Sequence, residues 1–217
     1  MVELSRIKVC GLTRAEDVRA ALDAGADALG FVQYAPSPRD LSPETAAELI
    51  ADVPAGVARV LVVVECTPAT ARAALEATGA DHLQLCGEQR AADWAGFPVP
   101  ILRRIAVQDG AHEELTSWRE LALGFVLDHP SGPGGSGRTV DETLAAELAS
   151  LAPCLLAGGL DPDNVAERVA ATRPAGVDGS SRLETRPGIK DPDRVRAFVT
   201  AARAALDAMA PRQESGR

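Results

Sequence analysis

The feature that most constrains the fold of this chain is a regular alternation of short apolar segments with longer, alanine-rich helical segments. The clearest apolar segment is 57–64, in which the run from Val60 to Val64 has no polar interruption. Such a run is typical of a strand that is buried on both faces. Strict alternation of strand and helix predicts parallel strands joined by right-handed crossovers. The expected strands are 7–10, 28–32, 57–64, 82–85, 99–105, 124–127, 154–156 and 176–178.

Helix signals follow each of these strands. Thr13 is the expected N-cap of the first helix, and the pairs Ser42-Pro43 and Thr67-Pro68 open the second and third. A capping residue followed by proline is a typical helix start, because proline at the first turn loses no intrahelical hydrogen bond. The later helices are expected at 89–94, 112–121, 141–150, 161–172 and 191–209.

Eight strand–helix units predict a single α/β domain, a (β/α)8 TIM barrel over 1–210 with a polar tail at 211–217. An open doubly wound sheet uses the same units and is the rival architecture. Aromatic residues make up only 3% of the chain, so the core must consist of Val, Leu, Ile and Ala, which suits a barrel interior. The number of units and the phosphate-binding signals described below favour a closed barrel.

The charge and the cysteines restrict the class of partner. A net charge of −9 argues against nucleic acid, whose phosphates require clustered Lys and Arg. No apolar run approaches membrane-spanning length, and we expect no signal peptide. The four cysteines form no Cys-x-x-Cys pair and have no His at zinc-ligand spacing. We therefore expect a cytoplasmic monomer or homodimer with reduced, mostly buried thiols and no bound metal.

Catalytic groups of such barrels lie at the C-terminal ends of the strands. The first strand ends at Cys10 and the sixth leads into Asp128, so the thiol and the carboxylate are candidates for an acid/base pair. A structural role stays open for each, as a small core residue for Cys10 and as a turn former for Asp128. Arg39, Gln84 and Asp178 follow or end the second, fourth and eighth strands and are candidate binding residues.

Two successive strand ends predict a phosphate site. Gly158 and Gly159 follow the seventh strand and allow a ligand to approach the backbone closely. Ser180 and Ser181 follow the eighth strand and are placed to open a short extra helix with N–H groups that face an anion. This is the usual phosphate position in TIM barrels.

A glycine-rich segment, 131–138, follows the sixth strand and contains Gly135 and Gly137. It has no residues that form a core. The segment is either an idle flexible loop or one that closes over substrate and donates further N–H groups. Its position directly after Asp128 favours the second interpretation.

These residues occur in blocks that resemble the phosphoribosylanthranilate isomerase family, in the family's order and over nearly the whole chain. The blocks are Lys8-Val9-Cys10-Gly11-Leu12-Thr13, Gly30-Phe31-Val32, Ser37-Pro38-Arg39, Gln84-Leu85, Leu127-Asp128, Gly134-Gly135-Ser136-Gly137, Leu156-Ala157-Gly158-Gly159-Leu160, Val177-Asp178, Ser180-Ser181 and Pro187-Gly188-Ile189-Lys190-Asp191.

The resemblance implies an Amadori rearrangement in tryptophan biosynthesis, without metal or organic cofactor. The implied substrate is N-(5-phosphoribosyl)anthranilate, a phosphorylated aminosugar, and the implied product is its 1-deoxyribulose isomer. By this resemblance Asp128 is the general acid, Cys10 the general base and Arg39 the partner of the anthranilate carboxylate. The backbone near Gly159 and the Ser180-Ser181 pair would hold the phosphate.

The sequence departs from the family pattern at several positions. Gln33 stands where the family usually has an aromatic residue, Cys86 where it usually has His, and Arg182 where a small residue is common. Gly179 replaces a more usual branched residue, and His129 is also atypical. Two alternatives therefore stay open: an Amadori isomerase for another aminoaldose phosphate, and a non-catalytic phosphosugar-binding barrel.

Overall fold

A computed structural model describes residues 4–130 and 139–209 of the 217-residue chain. Its eight parallel strands pair in sequence order, and the eighth pairs with the first through the register Lys8↔Asp178. This closed barrel confirms the predicted architecture and excludes the open sheet. The predicted tail at 211–217 lies outside the described residues.

The strands are short, and helices follow seven of them. The strands are β1 Ile7–Cys10, β2 Ala28–Gln33, β3 Ala58–Val63, β4 His82–Leu85, β5 Ile101–Ala106, β6 Gly124–Asp128, β7 Cys154–Leu156 and β8 Gly176–Gly179. The helices are α1 Ala15–Asp23, α2 Pro43–Ala51, α3 Pro68–Thr78, α4 Ala111–Trp118, α5 Glu142–Leu151, α6 Val165–Thr172 and α7 Pro192–Met209. Between β8 and α7 lies a small antiparallel hairpin of β9 Glu184–Arg186 and β10 Ile189–Lys190.

The prediction of an α-helix after the fourth strand is wrong. The chain forms only a 3₁₀ turn there, Ala91–Trp94. Gly96, Pro98 and Pro100 follow closely, and so short a segment gains too few hydrogen bonds to sustain an α-helix. The buried ring of Trp94 packs against Phe97 with the ring centroids 4.9 Å apart and joins the core in place of a helix.

Helix starts follow the predicted capping chemistry at two places and depart from it at two. Ser42 and Thr67 accept the expected hydrogen bonds from backbone N–H groups. Thr13, however, does not cap α1; the N-cap is Arg14, and the Thr13 hydroxyl donates to the carbonyl of Gly188. The sixth helix begins at 165 instead of 161, because Asp161 folds a preceding turn by accepting backbone N–H groups.

The core has an outer and an inner part. The outer part lies between the strands and the helices and holds, for example, Ile7 and Val9 of β1. Side chains alternate along a strand, so Lys8 and Cys10 face the interior of the barrel. The inner part, which includes Cys10, is built from branched aliphatic residues such as Val60 and Leu155. None of the helices within the described ranges combines the length and hydropathy needed to cross a membrane.

Candidate active site

A cavity of about 440 Å³ opens at the C-terminal ends of the strands. All nine predicted site residues that the structure describes line it: Cys10, Arg39, Gln84, Asp128, Gly158, Gly159, Asp178, Ser180 and Ser181. Gly135 and Gly137 lie outside the described residues. The convergence follows from strand geometry, because the inward positions at the ends of parallel strands all face the same barrel mouth.

The Cys10 thiol lies directly on the backbone of the neighbouring strand. Cys10 pairs with Gly30 of β2, and a Cβ atom added to Gly30 would lie only 2.7 Å from the sulfur. Glycine at residue 30 therefore leaves the space that the thiol occupies. Burial raises the pKa of the Cys10 thiol, while the nearby ammonium group of Lys8 acts in the opposite direction.

A role for Lys8 was not predicted from the sequence. Its side chain is fully buried, and its ammonium nitrogen lies 2.8 Å from Oδ2 of Asp178. Burial by itself lowers the pKa of Lys8, but attraction to Asp178 and Cys10 outweighs burial and raises it. A permanent positive charge thus lies beneath the thiol. The other carboxylate oxygen of Asp178, Oδ1, is buried and has no hydrogen-bond partner among the described residues.

Asp128 ends β6 on the opposite wall of the mouth. Its Oδ1 accepts a 2.8 Å hydrogen bond from the backbone N–H of His129, and Nε of Arg104 lies 3.6 Å from its Oδ2. Arg104 occupies an inward position of β5, because it lies two residues after Leu102 of the inner core and residues two apart in a strand face the same side. The carboxylate is thereby held with only 8% of the residue exposed, at the edge of the cavity.

The Arg39 side chain crosses the end of the first strand at Gly11. A Cβ atom on Gly11 would lie 2.3 Å from Cδ of Arg39, and the φ angle of Gly11 is +75°, so glycine is required there on both grounds. The guanidinium group forms a two-point ion pair with Glu184, with Nε to Oε1 and Nη2 to Oε2 both at 2.8 Å. This pairing was not predicted from the sequence, because Glu184 is 145 residues from Arg39 in the chain.

The residues of the predicted phosphate site line one part of the cavity. Gly158 and Gly159 both line the cavity and have positive φ angles, 79° and 66°, a conformation that favours glycine. Ser180 donates a 3.1 Å hydrogen bond to the carbonyl of Cys10, and Ser181 begins the predicted short extra helix, a 3₁₀ turn. Arg182 also lines this end and adds a positive charge.

Two of the sequence departures differ in their relation to the site. Cys86 lines the cavity, and Nε2 of Gln84 donates to its sulfur at 3.3 Å. Burial raises the pKa of Cys86 to about 11, so the thiol is neutral at physiological pH. Gln33, by contrast, directly follows the cavity residue Val32 in β2, so its side chain faces the other side of the strand, and it does not line the cavity. The departure at Gln33 thus leaves the site unchanged.

The cysteines and potential metal ligands bear on two further expectations. All four cysteines are free; Cys10, Cys86 and Cys154 are buried, whereas Cys66 is only partly buried. In the described part of the chain, no three His, Cys, Asp or Glu side chains converge as a metal site would require.

Comparison with known proteins identifies related sequences and structures. The sequence model of the family described as N-(5'-phosphoribosyl)anthranilate (PRA) isomerase matches residues 7–201. A protein of that name from Dechloromonas aromatica (strain RCB) is 45% identical over 204 residues, which is 93% of this chain and 97% of the relative.

Solved structures give the same family. One is phosphoribosyl anthranilate isomerase in complex with reduced 1-(o-carboxyphenylamino)-1-deoxyribulose 5-phosphate, with a TM-score of 0.82 and 30% identity over 93% of this chain and 100% of that one. Another, of mutually generated monomers of the dimeric phosphoribosylanthranilate isomerase from Thermotoga maritima, has the same TM-score, identity and coverage.

Proposed function

The chain belongs to the N-(5'-phosphoribosyl)anthranilate isomerase family, and we propose that Asp128 and Cys10 are the general acid and general base of its reaction. The reaction is the isomerisation of phosphoribosylanthranilate in tryptophan biosynthesis. The observation that carries the assignment is that Cys10 and Asp128 line one cavity, which Arg39, Gly158, Gly159 and Ser181 also line.

The proposed reaction is an Amadori rearrangement in which Asp128 and Cys10 carry out the first two proton transfers. Asp128 donates a proton to the furanose ring oxygen, the bond from that oxygen to C1′ breaks, and the nitrogen lone pair forms a cationic Schiff base. The thiolate of Cys10 then removes the C2′ proton, and the bonding electrons neutralise the nitrogen to give an enolamine. Loss of the C2′ hydroxyl proton with protonation of C1′ gives the ketone, 1-(2-carboxyphenylamino)-1-deoxyribulose 5-phosphate.

The surroundings of Cys10 supply what this second step needs. Burial raises the pKa of the Cys10 thiol and so disfavours the thiolate, which is the form that acts as the base. Lys8 counteracts burial with a fixed positive charge, and the cationic Schiff base adds a second charge at the moment when the thiolate is required. Two proton-transfer groups and these charges complete the reaction without an organic cofactor or a metal ion.

The two ends of the cavity fit the two anionic groups of the substrate. We assign the anthranilate carboxylate to Arg39, whose planar guanidinium group matches a carboxylate. We assign the phosphate to the peptide N–H groups near Gly158, Gly159, Ser180 and Ser181. Binding both ends orients C1′ and C2′ between the acid and the base, which is worth several powers of ten in rate. Gln84, Asp178 and the glycines at 135 and 137 are further proposed substrate contacts.

The cellular setting is also a proposal. Four free cysteines suit a reducing compartment, and we place the protein in the cytoplasm. The Thermotoga maritima relative is described as dimeric, with monomers generated from it. We accordingly expect this chain to be a monomer or a homodimer, with a small phosphorylated aminosugar as its substrate and no nucleic acid or membrane partner.

A fluorescence assay on freshly prepared phosphoribosylanthranilate tests the proposal. We expect turnover by the wild-type chain and a fall in kcat of at least about a hundredfold in Cys10→Ser and in Asp128→Asn, the usual scale for loss of an acid or a base. Thermal unfolding of each variant is the control for folding. Wild-type turnover in either variant would show that the residue is not the proposed acid or base. A negligible rate for the wild-type chain would refute phosphoribosylanthranilate as its substrate.

A further inference from the structure

The hairpin of β9 and β10 contributes two buried charges that the proposed chemistry does not use. Glu184 and Lys190 are only 8% and 1% exposed, and their Oε1 and Nζ atoms lie 2.8 Å apart. Lys190 belongs to the sequence block 187–191, which has no assigned role in the reaction. Burying charged groups is costly unless they are paired, so this arrangement calls for a physical reason.

The Glu184 carboxylate binds Arg39 as well as Lys190. It accepts from Nε and Nη2 of Arg39 and from Nζ of Lys190, so three hydrogen bonds of 2.8 Å converge on it from two cations. A guanidinium group has five N–H donors, and Glu184 uses the two along the side of Nε. The opposite edge, formed by Nη1 and the second N–H of Nη2, makes no hydrogen bond to the described residues. Arg39 also lines the cavity.

The charges of the three residues do not balance. Two cations and one carboxylate leave one positive charge in a buried cluster. Asp17 accepts the backbone N–H of Lys190 at 3.2 Å, but Asp17 is itself paired with Arg14 at 2.6 Å. Asp178 is also attracted to Lys190, but it is paired with Lys8. Burial lowers the pKa of Lys190, although attraction to Glu184 opposes this shift. With Lys190 in its ammonium form, the cluster has one net positive charge that an anion beside Arg39 in the cavity can neutralise.

The hairpin also fixes this cluster relative to the rest of the site. Nζ of Lys190 donates to the carbonyl of Ser180 at 3.2 Å, and the carbonyl of Gly188 accepts from the Thr13 hydroxyl beside β1. The guanidinium group of Arg39 is thus held from the side of β8 and from the side of β1. Lost side-chain freedom is one of the costs of binding, and a group that is already fixed does not incur it again.

We propose that Glu184 is a positioning residue that, together with Lys190, turns the free edge of Arg39 toward the carboxylate of the substrate. The inference rests on the proposed role of Arg39. It goes beyond that role because it predicts that the geometry of Glu184, and not only its charge, sets the affinity for the carboxylate end of the substrate.

Three variants and one matched control test this inference. Glu184→Asp keeps the negative charge but withdraws the carboxylate by one methylene, Glu184→Gln removes the charge, and Arg39→Gln removes the proposed ligand. Glu114→Gln is the control, since Glu114 also accepts two hydrogen bonds from an arginine, Arg103, but does not line the cavity. The measurements are KM and kcat for phosphoribosylanthranilate and the inhibition constants of anthranilate and of inorganic phosphate.

We expect both Glu184 variants to raise KM and the anthranilate inhibition constant by about tenfold, the scale of one charge-assisted hydrogen bond. The value of kcat and the phosphate inhibition constant should stay within about twofold of wild type, and Glu114→Gln should match wild type throughout. Circular dichroism and thermal unfolding verify folding, and Glu184→Asp decides the matter if Glu184→Gln does not fold.

The possible failures are distinguishable. Wild-type constants in Glu184→Asp, with raised constants in Arg39→Gln, would overturn the positioning role and leave the role of Arg39 intact. Unchanged constants in Arg39→Gln would overturn the carboxylate assignment itself. Equal weakening of anthranilate and phosphate in Glu184→Asp would show a disturbed hairpin and would likewise refute selective positioning.

Discussion

Replacing Gly30 by alanine tests whether the placement of the Cys10 thiol controls catalysis. The new Cβ would lie 2.7 Å from the sulfur and 3.1 Å from Cα of Cys10. Non-bonded heavy atoms are at their optimum at roughly 3.5–4.0 Å, so the thiol must move by roughly 1 Å or rotate out of its position. The backbone of β1 is held by pairing on both sides, with β2 and β8, so the side chain is the part that yields.

The expected size of the effect follows from this displacement. Misplacing a reacting group by about 1 Å costs up to a hundredfold in rate, or about 2.7 kcal/mol of barrier. Overpacking costs about 1–3 kcal/mol of folding free energy. We therefore expect Gly30→Ala to fold with reduced stability and to lose about a hundredfold in kcat, with a smaller change in KM because the anion-binding ends are untouched.

The matched control is Gly124→Ala, at the opposite end of the barrel. Its Cβ would lie 2.9 Å from Cδ1 of Leu4, a crowding similar to that at Gly30 but remote from the cavity. Urea unfolding and the fluorescence assay on both variants separate loss of stability from loss of catalysis. Wild-type kcat in Gly30→Ala, or an equal fall of kcat in Gly124→Ala, would refute the claim that Gly30 sets the position of the thiol.

Two further predictions concern the groups around Cys10. Gly11→Ala should raise KM by about tenfold or more with kcat less affected. The new Cβ would lie 2.3 Å from Cδ of Arg39 and would displace the guanidinium group from its proposed contact with the substrate carboxylate. An unchanged KM would contradict the path of Arg39 across Gly11. Lys8→Met should move the ascending limb of the kcat/KM–pH profile to higher pH. Lys8 is the main group that lowers the pKa of the Cys10 thiol against burial, so its loss raises that pKa and the thiol ionises only at higher pH. A limb at the wild-type pH would exclude this role.

The architecture was predictable because its evidence is local. An apolar run such as 60–64 marks a strand wherever it lies, and the count of such runs predicts the barrel. The α-helix predicted after β4 was wrong. The alanines at the start of this segment favour a helix, but the prolines that follow end it after one 3₁₀ turn. The hairpin of β9 and β10 was not predicted, because its strands are three and two residues long and resemble a loop in sequence.

The candidate site was predictable only as a set of separate residues. Lys8 lies two residues before Cys10 in β1, so the sequence predicts that both face the barrel interior. Its partner Asp178 is 170 residues away, and the pairing could not be predicted without the closed barrel. Glu184 and Arg39 are likewise joined only by the fold. A sequence departure can also have a structural cause: a Cβ on Gly179 would lie 2.7 Å from the ring of Phe198, so glycine at 179 accommodates that ring.

The distribution of lysine connects the sequence to the chemistry of the site. The chain has only two lysines, Lys8 and Lys190, and both are almost completely buried beside the cavity, whereas the surface cations are arginines. A net charge of −9 repels an anionic substrate at long range, so attraction must come from fixed cations at short range. A lysine ammonium group is compact and donates in three directions, and Nζ of Lys190 uses two of them to join the Glu184 carboxylate and the Ser180 carbonyl. Affinity for the substrate therefore depends on the desolvated contacts of the barrel mouth rather than on electrostatic steering by the surface.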